Sequence, residues 1–431
     1  MSSPTPHSLQ AILQQHHNYQ AHALSVNEAQ NIIQTFVQPI QATEQVDLFS
    51  AFSRVLAQDV LSPIDVPAHD NSAMDGYAFN GAALALGEDV ALKLIGEALA
   101  GHPFVGDVQS GECVRIMTGA VMPANCDTVA PQELTKNVAH DRIQFPAHKL
   151  KRGDNRRFRG EDLSKNKIAL SKGKQITPAD LGLLASLGLS QMTVYRKIKV
   201  AYFSTGDELR SLGETLDAGC VYDSNRYTVF GMLQRLGCDM IDMGVVPDNP
   251  EQLEHALRHA CEHADAIITS GGVSVGAADY TKQIMAKLGE VEFWTIGMRP
   301  GRPMAFGKIH SNQHGAYLFG LPGNPVAVMV TFYFFARLAL QALMGATPAP
   351  LMLVPAISKR AIRKRVGRTE YQRGVATKNA DGHLEVAVTG AQGSGILRSM
   401  SEANCMIILH DDSSDIAAGD TVDILFFDGL V

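Results

Sequence analysis

The apolar positions of this chain change their period along its length. From Ser25 the spacing is helical, and Ser25 with Glu28 three residues on has the form of a capping box. A second helix is predicted over Asp47–Ala57. From Val60 to Phe145 the pattern breaks into short β-like runs, LKLIGEAL, ECVRIMTGA, DTVAPQEL and DRIQF, separated by Gly and Pro turns. Residues 151–165, KRGDNRRFRGEDLSK, read as a charged loop. Thr177-Pro178-Ala179-Asp180 opens another helix, with Thr177 as N-cap and Pro178 in its first turn.

Strands and helices then alternate. Strand Lys199–Ser204 precedes helix Asn225–Leu236, strand Met240–Gly244 precedes helix Glu251–Glu262, and strand Ala266–Thr269 precedes helix Tyr280–Leu288. Strands over Glu292–Ile296, Met304–Lys308 and Ala316–Gly320 follow, then a helix over Val326–Met344. This alternation predicts a mostly parallel sheet with helices on both faces. Ligands of such sheets bind at the carboxyl ends of the strands. Beyond Pro348 and Pro350 the β pattern returns through Val431, predicting a separate small barrel or sandwich.

Composition narrows the class. A chain of 431 residues suggests about three domains. A net charge of -7 gives no global field for nucleic acid or an anionic membrane. The six cysteines form no CxxC pair, which fits a reducing cytoplasm and argues against a disulfide framework or zinc ribbon. The Gln/His/Ser-rich residues 1–24 are expected to be a mobile extension without signal-peptide character. The apolar run Val326–Met344 carries Arg337 and Gln341, so a buried helix is expected there rather than a membrane span.

The predicted strand ends carry the chemistry. Ser204-Thr205-Gly206-Asp207-Glu208 follows the first strand and Pro247-Asp248-Asn249-Pro250 the second. Ser270-Gly271-Gly272 follows the third, then Ser274 and Asp279-Tyr280-Thr281. A glycine loop between a strand and a helix N-terminus suits an oxyanion. Leu321-Pro322-Gly323-Asn324-Pro325 and Arg299-Pro300-Gly301-Arg302-Pro303 complete the set. Glu208, Asp248 and Asp279 offer hard oxygens for Mg²⁺. Arg299 and Arg302 suit a tetrahedral oxyanion. Singly, each has a plainer explanation: Asp248 caps a helix, and PGNP is a stiff turn. In the β-rich module, Asp70–Ala78 is an oxygen-rich loop and Arg115–Ala120 a strand ending in a Thr-Gly turn. His255, His259 and His263 oppose the apolar stripe Leu253, Leu257, Ala260 and Ala264, and read as a solvent face. The basic run Lys359–Arg365 reads as a solvated face, or as a local complement to an anionic ligand.

DNSAMDGYA, RIMTGA, RGED, STGDE, SGGVSVG-ADYT, PG-P, LPGNP and GSGILRSM occur in that order between about Ser25 and the C-terminus. Together they resemble the molybdopterin molybdenumtransferase family, MoeA-type proteins and the E domain of gephyrin. The resemblance implies a multidomain α/β fold: an elongated domain (25–60 and 147–178), an inserted β-rich module (61–146), a three-layer αβα molybdopterin-binding domain with a mostly parallel sheet (179–345) and a C-terminal β-barrel (346–431). It implies a cytoplasmic homodimer with a shared cleft. That cleft would insert molybdenum from molybdate into adenylylated molybdopterin with Mg²⁺-dependent release of AMP. Asp75, Thr118, Asp162, Glu208, Asp248 and Asp279 match the family's functional acidic and hydroxyl positions. Arg299, Arg302, Pro322, Pro325, Arg373 and Ser394 match its molybdate and substrate-cleft positions. Ser270, Gly271, Gly272, Ser274, Gly323 and Asn324 complete the expected binding loops. Contact with the adenylyltransferase of the same pathway is a further expectation. Two features depart from the pattern: arginines stand where lysines are common in the PG loop, and Pro131 stands where a non-proline residue is common. The alternatives are the adenylyltransferase itself, which resembles the αβ domain alone, and a gephyrin-like scaffold.

Overall fold

The computed structural model describes residues 8–14, 23–86, 89–272 and 279–428. Its centre is a six-stranded sheet in the order Asp239–Val246, Lys199–Thr205, Ala266–Ser270, His314–Leu321, Pro303–Ser311 and Gly289–Thr295. The first four strands are parallel; Pro303–Ser311 runs antiparallel to both its neighbours, so Gly289–Thr295 points the same way as the first four. The parallel strands are apolar on both faces because helices cover both. Val200, Tyr202 and Ile268 face one core, shared with helices Ser224–Leu236 and Pro325–Thr331. Ala201, Phe203 and Ile267 face the other, shared with helices Pro250–His263 and Asp279–Leu288. The apolar helix beginning at Pro325 is mostly buried, as expected of a core helix, and a π-helical turn at Phe332–Ala336 interrupts it.

Both predicted capping arrangements are present. Ser25 and Glu28 cap helix Val26–Phe36 reciprocally, and Thr177 and Asp180 do the same for Pro178–Ser186. The predicted Asp47–Ala57 helix is not formed. Thr43–Asp47 is a strand paired antiparallel with Gln191–Tyr195, Asp47 accepts from the Ser50 N–H, and Ser53 takes a positive φ of 61°. A long-range partner and a left-handed residue override the local helical spacing. The mobile extension expected over residues 1–24 also needs correction. Leu9–Gln14 is a helix whose Leu9, Ile12 and Leu13 are buried in the main core, and the Leu9 N–H donates to Glu290 at 2.8 Å.

The inserted module is a mixed six-stranded sheet, with Thr128–Pro131 at one edge beside Gly76–Phe79. An edge position is where a strand tolerates a proline, which accommodates Pro131. The C-terminal domain closes into a five-stranded barrel: Thr369–Lys378, Leu384–Val388, Val354–Ser358, Thr421–Phe426 and Cys405–Leu409, which pairs back to Thr369–Lys378. Met298–Arg299 pairs with Thr369 and Glu370, so the PG loop is tied to this barrel.

Candidate active site

Lys199–Thr205 lies between Asp239–Val246, the next strand in the chain, and Ala266–Ser270, the one after. The chain therefore reverses its direction of travel across the sheet here, and the crevice at such a point is where ligands of open α/β sheets bind. The loops after Thr205, Val246, Ser270 and Leu321 all open at this edge. Pro303–Ser311 begins at the same edge, with Ala305 opposite Gly320, so the Arg299–Pro303 loop joins them.

Close approach explains the glycines. Gly271 has φ +91°, and a Cβ there would lie 2.4 Å from the Thr205 carbonyl oxygen. Gly206 has φ +149°, and a Cβ there would meet the Glu208 carboxylate at 2.7 Å. A Cβ on Gly323 would contact Gly271 Cα at 3.8 Å, so the LPGNP and SGG loops lie against one another. Gly301 packs on Thr331, and the Val326 N–H donates to the Ser394 carbonyl at 3.0 Å. Thus the PG loop, LPGNP and Ser394 meet on one helix.

The carboxylates here are crowded. The Asp248 N–H donates to Asp207 Oδ1 at 3.4 Å. Burial, reinforced by the charges of Asp207 and Glu208, holds the Asp248 carboxyl above its ordinary range. The Tyr280 hydroxyl is raised by burial and then by Asp248 and Asp207. Asp248 is not the helix cap: Asn249 Oδ1 accepts from the Glu251 and Gln252 N–H groups. Asn324 occupies an N-cap position but makes no capping bond, so its side chain is not spent on its own helix.

Other expected residues sit deeper. The Ser270 hydroxyl is buried beneath the loops, 2.7 Å from the Tyr202 hydroxyl and 3.1 Å from that of Ser204. Arg373 is fully buried: Nε donates to Ser399 Oγ at 3.0 Å and Nη2 to the Gly393 carbonyl at 3.0 Å. Burial, with Arg299 as a second positive charge, pushes its pKa down to about 10. Arg373 thus braces the loop that carries Ser394. Ser274 and the side chain of Asp279 lie outside the described residues; the backbone of Asp279 begins helix Asp279–Leu288.

A second polar group lies at the β-rich module. Asp75 Oδ1 accepts from the Thr118 N–H and hydroxyl, both at 2.7 Å, and the hydroxyl bond foremost holds the Asp75 carboxyl below its ordinary range. Asp70 pairs with Arg156 and accepts from the Arg159 N–H at 2.7 Å, while Arg159 also pairs with Asp65. Asp162 is exposed, and its N–H donates to the Val66 carbonyl at 3.1 Å. The partners of Asp65, Asp70, Asp75 and Asp162 all fall within residues 62–165. His255, His259 and His263 are exposed, as their spacing predicted. Among the described residues no group of three or more His, Cys, Asp or Glu side chains is placed to hold a metal.

Sequence reasoning passed over Asp207 and Tyr280 as site residues. Doubling of carboxylates in STGDE was the available signal for Asp207. Tyr280 carried none, since a tyrosine at a helix start reads as packing.

Fold and site define a class: a multidomain α/β protein with a candidate anion-binding cleft at the strand ends of its αβ domain. Comparison with known proteins narrows it. The MoeA N-terminal region (domain I and II) model matches residues 24–188, the probable molybdopterin binding domain residues 201–342, and the MoeA C-terminal region (domain IV) residues 355–427. A molybdopterin molybdenumtransferase of Haemophilus influenzae is 42% identical over 390 residues, spanning 90% of this chain and 95% of the relative. One from Nostoc is 35% identical over 93% of each chain. The crystal structure of the molybdopterin biosynthesis moeA protein from Pyrococcus horikoshii superposes with a TM-score of 0.80 at 28% identity, covering 94% of this chain and 100% of the other. The chain belongs to the molybdopterin molybdenumtransferase family and is an enzyme of molybdenum cofactor biosynthesis.

Proposed function

We propose that the strand-end cleft transfers molybdenum from molybdate to the dithiolene of adenylylated molybdopterin, with Mg²⁺-dependent cleavage of the phosphoanhydride and release of AMP. The observation that carries this reading is the convergence of crowded carboxylates, a close-packed double-glycine loop and a two-arginine loop at one sheet edge. Arg299 and Arg302 supply fixed cations for molybdate or phosphate oxygens. The SGG backbone lets an anion approach closely.

The donor set suits Mg²⁺. Asp248, Asp207 and Glu208 repel one another without a cation, and Mg²⁺ is held by one or two carboxylates together with substrate phosphates and water rather than by an all-protein cage. Glu208 and Asp248 would hold it, with Asp279 the third expected ligand. An ion held by these carboxylates would supply charge neutralisation at a breaking anhydride.

The family's shared cleft gives the second polar group a place. Asp75 and Thr118 form a rigid acidic loop whose bonds stay within its own region, suited to completing the cleft of a second copy. Leu212, Leu216, Val221, Tyr222, Tyr227 and Phe230 are exposed apolar side chains that a homodimer interface would cover. Six free cysteines, five of them buried, fit a reducing compartment such as the cytoplasm. Docking with the adenylyltransferase would pass the substrate on without exposing it to water.

The test supplies purified protein with adenylylated molybdopterin, molybdate and Mg²⁺ and measures AMP. AMP release that requires both molybdate and Mg²⁺ is expected. Release without molybdate, or none at all, would sink the transferase reading.

A further inference from the structure

Helix Ser224–Leu236 starts at the strand-end edge, and its first turn is unusual for a site that binds anions. The N-cap is Asp223, whose Oδ1 accepts from the Arg226 N–H at 3.2 Å. A carboxylate fixed at this terminus disfavours phosphate there. Two residues on, Asn225 Nδ2 donates to the Gly323 carbonyl of LPGNP at 2.8 Å. Asp223 and Asn225 are only 3% and 7% exposed. Yet among the described residues Asp223 Oδ2 and Asn225 Oδ1 have no hydrogen-bond partner. Two buried acceptors on one helical turn are left without donors, a cost that folding alone has no reason to bear.

Apart from the Asp207, Glu208 and Asp248 carboxylates, two loops of the cleft have the opposite polarity. The SGG loop and the Arg299–Pro303 loop offer donors and positive charge, which suit oxyanions. The unpaired oxygens of Asp223 and Asn225 are acceptors. The substrate class has a complementary part: the 2-amino-4-oxo pyrimidine edge of a pterin presents adjacent N–H donors, and a carboxylate accepts such a pair.

We propose that Asp223 and Asn225 read the N–H edge of the pterin, while the Asn225 amide nitrogen holds Gly323 in position. This rests on the strand-end cleft being the molybdopterin site. Both oxygens are sealed from solvent in this arrangement, so the pterin enters as the neighbouring loops part. The site divides its labour: acceptors on one helix end for the ring, and donors on the loops for the phosphates and molybdate.

Asp223→Asn tests this cleanly, because asparagine is as good an N-cap as aspartate and nearly the same shape. The expected result is a rise of at least about tenfold in KM for adenylylated molybdopterin, with KM for molybdate and kcat little changed. With 6-hydroxymethylpterin and lumazine as competing inhibitors, wild type prefers the pterin, since lumazine lacks the 2-amino donor; Asp223→Asn loses that preference. Asn225→Asp keeps the acceptor but removes the bond to Gly323, so it should raise both KM values and retain the preference. An unchanged substrate KM in Asp223→Asn, a parallel rise in both its KM values, or a retained preference would overturn the inference. A wild-type enzyme that turns over no substrate with molybdate would instead remove the cleft reading on which the inference stands.

Discussion

The strand-end cleft and the Asp70–Asp75 loop are both rich in carboxylates, and they manage that charge in opposite ways. In the loop each acid has its partner: Asp75 has Thr118, Asp70 has Arg156 and Arg159, and Asp65 has Arg159. Their carboxyls are held below the ordinary range. In the cleft Asp248 faces Asp207 and Glu208, and its carboxyl is held above that range. Among the described residues, buried oxygens of Thr205, Asp223, Asn225 and Thr269 have no partner. A self-satisfied region has fixed geometry and little to offer a ligand. A region left with uncompensated charge and unpaired acceptors is finished by what it binds.

The most severe break should come from Asp248→Ala. It should cost activity on the order of 100-fold or more, because it removes a carboxylate that the proposed Mg²⁺ site would use, while the thermal transition stays cooperative. Wild-type turnover in this variant would remove Asp248 from the site. Gly271→Ala comes next. At φ +91° any side chain is strained, and this one meets Thr205, so about 1–3 kcal/mol of stability should be lost in urea unfolding, together with substrate binding. An unperturbed variant would mean that the SGG loop does not need its close approach.

Acidity sharpens the comparison. Asp248 has a raised pKa, so the folded state holds its proton more tightly than the unfolded chain. Its contribution to stability therefore falls as pH rises from the ordinary carboxyl range through the raised value. Mg²⁺ binding needs the ionised form, and affinity measured by calorimetry should weaken as pH falls through that raised value. Asp207→Asn removes one of the charges that raise Asp248, so the midpoint should move to lower pH; an unmoved midpoint would mean that the Asp207 charge does not raise Asp248. Asp75 has the opposite sign. Its depressed pKa gives stability that is present above the ordinary carboxyl range and lost as pH falls through the depressed value. Thr118→Ala should flatten that acid limb in pH-dependent urea unfolding. It should also lower activity by about tenfold, the smallest of these effects, because Asp75 loses an orienting hydroxyl but keeps a backbone N–H. An unchanged acid limb would mean that the hydroxyl does not set the Asp75 pKa.

How much of this was readable in the sequence follows from range. The αβ alternation is local, so the strands and the loops at their ends could be placed from periodicity, and the caps at Ser25 and Thr177 from side-chain spacing. The helix expected over Asp47–Ala57 failed because Thr43–Asp47 answers to a strand about 150 residues away, a pairing that no local pattern encodes. Leu9–Gln14 was overlooked because three apolar residues in a Gln-rich stretch have no helical weight until the core they dock on exists. In the site, acidic and arginine positions announced themselves by type. Asp223 and Asn225 did not: DSN before a helix reads as a capped start, and only the structure leaves their second oxygens without donors.

Two regions so different in charge are expected to act together only across two subunits. The most direct test mixes Asp248→Ala and Asp75→Ala proteins, each inactive alone, under conditions that allow subunits to exchange. Random pairing gives one intact cleft in half of the dimers, and AMP release should recover to about a quarter of the wild-type rate. A mixture no more active than its separate components would contradict a cleft built from the unsatisfied carboxylates of one subunit and the Asp75 loop of the other.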